Sequence, residues 1–109
     1  SDLSVSISGT VSVGANTVIR NGVKVIGPAI IGNNCIIEDI ALIGPNTSIG
    51  DNCIISSCDI SQSIVMSDCS IKAGIRIRNS IIAFNCRISK MENDDDKKFL
   101  LGEGTHIII

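Results

Sequence analysis

An aliphatic side chain at every sixth position and a phrase that returns after eighteen residues predict an all-β chain wound into a three-sided parallel β-helix. A near absence of aromatic residues points the same way. The phrase is IGNNCI from Ile31, repeated as IGDNCI from Ile49, with the weaker IGPNTSI between them from Ile43. The aliphatics run Ile7, Val13, Ile19, Val25, Ile31, Ile37, Ile43, Ile49 and Ile55. A period of six fits neither an amphipathic helix nor a long alternating strand. It fits short strands separated by turns, each placing one aliphatic inward. Three such units make one triangular turn. The 109-residue chain has 44% hydrophobic residues, no Trp or Tyr, and only Phe84 and Phe99 as aromatics. Its core must therefore be a narrow one of Ile, Val, Leu and small residues.

Beyond Ile55 the step shortens to five at Ile60 and Val65, returns to six at Ile71 and Ile77, shortens at Ile82 and ends with six at Ile88. The first face then stacks Ile7, Val25, Ile43, Ile60 and Ile77. The second stacks Val13, Ile31, Ile49, Val65 and Ile82, and the third Ile19, Ile37, Ile55, Ile71 and Ile88. Three residues after each second-face aliphatic come Asn16, Asn34, Asn52, Asp68 and Asn85. Asn and Asp tolerate the left-handed backbone of a tight corner, and their side chains are expected to bond between turns. One residue after the aliphatic come Gly14, Gly32, Gly50, Met66 and Ala83, mostly small.

Four of the five cysteines share one column, Cys35, Cys53, Cys69 and Cys86, with Thr17 above them. No CxxC pair occurs and His106 is the lone histidine, so a zinc site is not expected. Stacked strands hold Cβ atoms about 4.7–4.9 Å apart, wider than the roughly 3.5–4.5 Å of a disulfide. These cysteines are expected to be reduced, buried, small apolar residues, which fits the cytoplasm. Cys58 falls at a shortened step and has no evident column.

The net charge of −2 gives no reason to expect nucleic acid or an anionic membrane surface. No apolar run approaches the roughly 20 residues that span a bilayer. The chain reads as one domain, residues 1–109, with coils over 7–89. The period then collapses into KMENDDDKK, residues 90–98, which reads as a solvated acidic loop. FLLGEGTHI resumes the pattern, with Leu101, Gly102 and Thr105 in the aliphatic, small and inward-small positions and Ile107 six beyond Leu101. Residues 99–109 are thus expected to return as a strand capping the last turn, because an open strand edge invites pairing. The chain does not begin with Met, which reads as a piece of something longer.

Hexads of this form resemble the left-handed parallel β-helix of the hexapeptide-repeat superfamily. The runs SVGANTVIRNG, IGPAIIGNNCIIED and IGPNTSIGDNC carry the likeness. The irregular CDISQSIVMSDCSI, RIRNSIIAFNCRIS and LGEGTHI sharpen it. The chain resembles the C-terminal domain of long-form glucose-1-phosphate thymidylyltransferases over essentially its whole length. IEDIALIG departs from that pattern by keeping six residues where the family often has five. The left hand of the coil is implied by this resemblance. So is a structural, oligomerising and regulatory role in a sugar-1-phosphate nucleotidyltransferase. The parent would join a nucleoside triphosphate, dTTP by the resemblance, to glucose 1-phosphate and release pyrophosphate. Its N-terminal catalytic domain would hold Mg2+ and the phosphate loop. GVKVIGP and GEGTH are not such loops, since neither joins a strand to a helix N-terminus. No catalytic, cofactor-binding or metal residue is therefore assigned in this chain. The competing reading is a hexapeptide acyltransferase that uses acetyl-coenzyme A, for which only His106 could serve as general base. A carbonic anhydrase of this fold would need three histidines. A last column, one before each third-face aliphatic, reads Val18, Ile36, Ile54, Ser70, Arg87 and should face outward. Its aliphatic stripe of Val18, Ile36 and Ile54 is expected to form a homo-oligomer, a trimer by the habit of the resembled superfamily. The alternative is that it packs on the catalytic domain or is covered by the returning tail.

Overall fold

The computed structural model describes residues 5–89 and the backbone of 106–108. The hexads become short strands separated by tight corners, because each unit has only two or three residues before a left-handed residue turns the chain. The first coil holds β1 (Ser6–Ser8), β2 (Val11–Val13) and β3 (Val18–Ile19). The second holds β4 (Lys24–Ile26), β5 (Ala29–Ile31) and β6 (Ile36–Glu38). The third holds β7 (Leu42–Ile43), β8 (Thr47–Ile49) and β9 (Ile54–Ser56). The fourth holds β10 (Asp59–Ser61), β11 (Ile64–Val65) and β12 (Ser70–Lys72). The fifth holds β13 (Arg76–Arg78), β14 (Ile81–Ile82) and β15 (Arg87–Ser89), and β16 (His106–Ile108) follows.

Every strand pairs in parallel with its equivalent one coil away, giving three sheets. Their orders are β1-β4-β7-β10-β13, β2-β5-β8-β11-β14 and β3-β6-β9-β12-β15-β16. The result is an all-β parallel solenoid of about five turns, consistent with a left-handed β-helix. The register is the one the aliphatic count predicts. Ile7 pairs with Val25 and Val25 with Ile43, Ile31 with Ile49, and Ile37 with Ile55. The shortened steps are absorbed in the corners, so Ile60 still faces both Ile43 and Ile77. Ile88 pairs with Ile107, which places β16 on the third sheet as the returning strand. The acidic segment 90–98 and Leu101, Gly102 and Thr105 lie outside the described residues.

The interior is one continuous stack. Ile31, Ile37, Ile43, Ile49, Ile55, Ile60, Ile71, Ile82 and Ile88 are fully buried. Small residues fill the corners. Cys58, unplaced by the sequence, stands in line with Val23, Ala41 and Ile75, since the amides of Lys24, Leu42 and Asp59 donate to the carbonyls of Ala41, Cys58 and Ile75. At the first coil Ile7 is 52% exposed, because among the described residues the inward side of this coil has a neighbour on one side only.

The Asn and Asp of the corner column all adopt positive φ, from 58° at Asn34 to 65° at Asp68. Their expected side-chain role is taken by the residue before. The Asn33 side-chain oxygen accepts the Ala15 amide at 2.7 Å, Asp51 accepts the Asn33 amide at 2.8 Å, and Ser67 accepts the Asp51 amide at 3.0 Å. The left-handed residue instead donates its own backbone amide one coil back, as from Asn34 to Ala15 and from Asn52 to Asn33. A residue with positive φ at this corner turns its N–H along the coil axis to a backbone carbonyl, and the preceding side chain meets the amide that remains.

Candidate functional site

The third sheet sets the first candidate surface. Alternation along β3, β6, β9, β12 and β15 puts one residue in and the next out. Val18 pairs with Ile36, Ile36 with Ile54, Ile54 with Ser70, and Ser70 with Arg87. The predicted outward column is therefore real, aliphatic for three coils and polar below. Val18 is exposed, whereas Ile36 and Ile54 are partly buried by the rows around them. The stripe is less bare than its sequence suggests. His106 lies in register with Arg87, at the end of this column.

Below the stripe lies a recess of about 350 Å³ lined by Asn52, Ile54, Asp68, Ser70, Asn85 and Arg87. Amides, one carboxylate and one guanidinium can bind polar groups there. Cys69 lies at its floor, but the residue is buried and its S–H donates to the Ala83 carbonyl at 3.1 Å. The same bond recurs up the column. Thr17 donates to Gly32 O at 2.6 Å, Cys35 to Gly50 O at 3.1 Å and Cys53 to Met66 O at 3.2 Å. Hydroxyl and thiols thus satisfy corner carbonyls of the next coil. Cys35, Cys53, Cys58, Cys69 and Cys86 are all free and buried. The thiols of Cys35 and Cys69 on either side, together with burial, push Cys53 far above the ordinary range. Burial pushes Cys58 from 9.0 up to about 12. Hydrogen bonding to the Cys53 thiol pulls Cys35 and Cys69 the other way, below the ordinary thiol range. Among the described residues, no group of three or more His, Cys, Asp or Glu is placed to hold a metal ion. Among the same residues, no helix is long and apolar enough to cross a membrane.

Counting outward positions on the other faces finds what the sequence reading passed over. On the second sheet the outward column is Ser12, Ile30, Ser48, Ile64 and Ile81. Ile30, Ile64 and Ile81 are 56%, 46% and 64% exposed, more than the predicted stripe below Val18. The signal was available from the same alternation, one residue before each second-face aliphatic.

A three-sided parallel coil of hexads with a tight aliphatic core defines a hexapeptide-repeat β-helix. The family model of the GMPPB C-terminal domain matches residues 25–107, most of the chain. The chain belongs to this family, a left-handed β-helix type of nucleotidyltransferase C-terminal domain. No curated protein matches it. Among solved structures it is similar to the acetyltransferase domain of PglB from Neisseria gonorrhoeae FA1090, at 12% identity and a TM-score of 0.46. That likeness covers 95% of this chain and 46% of the other, so the chain spans about half the length of that structure. A likeness at this level carries no functional argument.

Proposed function

We propose that the chain is the assembly and regulatory C-terminal domain of a sugar-1-phosphate nucleotidyltransferase and is not catalytic by itself. The observation that carries this reading is the family match across residues 25–107. The parent reaction joins a nucleoside triphosphate to a sugar 1-phosphate and releases pyrophosphate. Within that class, the resemblance to long-form glucose-1-phosphate thymidylyltransferases implies dTTP and glucose 1-phosphate. The Mg2+ of that reaction would be held by the parent's N-terminal catalytic domain. The work of this domain is to bring copies together as a homotrimer through Val18, Ile36 and Ile54, in the cytoplasm, where thiols stay reduced.

The test has two arms. The purified chain, given nucleoside triphosphates and sugar 1-phosphates, releases no pyrophosphate, and light scattering finds it as a trimer that Ile36→Glu dissociates. Pyrophosphate release by the pure chain overturns the non-catalytic reading. A monomeric chain overturns the assembly role. Acetyl transfer from acetyl-coenzyme A to an amino-sugar phosphate replaces the proposal with the acyltransferase reading.

A further inference from the structure

A ring of identical subunits closes through a heterologous interface, in which each copy offers two different patches. When three three-sided coils pack with parallel axes, those patches lie on two faces that share a corner, and that corner points at the common axis. The Val18, Ile36 and Ile54 stripe supplies one patch, on the third face. Two faces adjoin it. The first presents Ser6, Lys24, Leu42, Asp59 and Arg76, with Arg76 paired to Asp59 at 3.6 Å, a surface suited to water. The second presents Ile30, Ile64 and Ile81, and between the first two the short Ser48 leaves a recess of about 220 Å³. Pro28, Ala29, Asn46, Thr47 and Ser63 complete its walls.

Axial level selects the occupant. Rotation about a parallel axis keeps each coil at the height of its equivalent in the next copy. Ser48 is on β8 and Ile54 on β9, both in the third coil. The geometry points to a second copy of this chain as the occupant of the recess: Ile54 of one copy seats over Ser48 of the next, between its Ile30 and Ile64. Ile36, in the second coil, then lies against Ile30, in the same coil. In the fifth coil Arg87 meets Ile81, where its methylene stem covers apolar surface while the guanidinium stays in water. The corner formed by Asn33, Asp51, Ser67 and Phe84 faces the threefold axis. The molecule measures 38 × 24 × 23 Å, so one face offers roughly the 800 Å² per partner of a stable contact. This pairing rests on the trimer reading above and names the surface that receives the stripe.

The experiment compares the chain with Ser48→Arg, Ile54→Glu and the double variant by light scattering, with circular dichroism to confirm folding. Each single variant weakens the trimer at least tenfold, and the double variant recovers it because the new charges meet across the contact. Ser48→Cys with Ile54→Cys in one chain, oxidised, gives covalent dimers and trimers on a non-reducing gel. A monomeric unmodified chain defeats the trimer reading and this pairing together. A trimer that Ile36→Glu dissociates but Ser48→Arg leaves intact keeps the reading and overturns the pairing. A stable dimer without trimer, a double variant that stays dissociated, or no cross-link between the introduced cysteines also overturns it.

Discussion

Ile40 is a β-branched residue held at φ 52° and 75% exposed. Left-handed backbone costs an L-residue about 1–2 kcal/mol, and a β-branched one is an outlier there. The neighbouring coil meets the same need with Gly22 at φ 87°, and a Cβ on Gly22 would meet the Ile40 side chain at 2.7 Å. Replacing Ile40 by Asn, which tolerates this conformation, should raise the unfolding free energy by about 1 kcal/mol, read by urea denaturation. At Cys58 the sign of the pH effect follows from burial. Its folded pKa is about 12 against 9.0 unfolded, so its contribution is full below pH 9 and is lost as pH rises toward 12. Stability should fall by roughly 1.4 kcal/mol per pH unit in that window on account of this thiol. Cys58→Ala should flatten that slope in denaturation curves taken from pH 8 to 11.

At the scale of the corner, Gly14, Gly32 and Gly50 share one cause. Each lies beneath the side chain that bonds between coils: Asn33 over Gly14, Asp51 over Gly32 and Ser67 over Gly50. The next member of that ladder is Phe84, which has no oxygen to offer, and beneath it the column admits Met66. Gly32→Ala should therefore destabilise by about 1–3 kcal/mol through overpacking, while Ala83→Gly should cost less than about 1 kcal/mol. Thermal unfolding of the two variants decides. A Gly32→Ala protein as stable as the parent would remove this account of the glycines. The column of small residues was legible in the sequence. Which neighbour demanded them was not, because the atoms that close over Gly32 come from a residue nineteen positions later.

Across the whole molecule, stability is shared between stacked neighbours, as in other solenoids. Ile55 is fully buried between Ile37 and Ile71, whereas among the described residues Ile7 has a partner on one side only. Ile55→Ala should cost about 2–5 kcal/mol and Ile7→Ala a clearly smaller amount, although both occupy the same inward position of the hexad. Equal losses measured by chemical denaturation would mean that the first coil is covered in solution by more than these residues show. The three columns along the axis also explain why the assembly surfaces differ by face. The inward positions must be alike on every face, and the outward ones are free to differ.

The period of six, read from Ile7 to Ile88, determined the three sheets, their parallel register and the buried thiol column. It could do so because a strand of two or three residues leaves one inward position per hexad, and each coil repeats the same demand. The tertiary structure alone decided which side chains bond between coils, where Cys58 stands, and that Ile30, Ile64 and Ile81 are barer than Ile36 and Ile54. Those outcomes depend on the axial offset between residues that are sixteen to eighteen positions apart, and on the height of their neighbours. A repeat specifies which residues stack, while the packing of the stack sets how far each one reaches water.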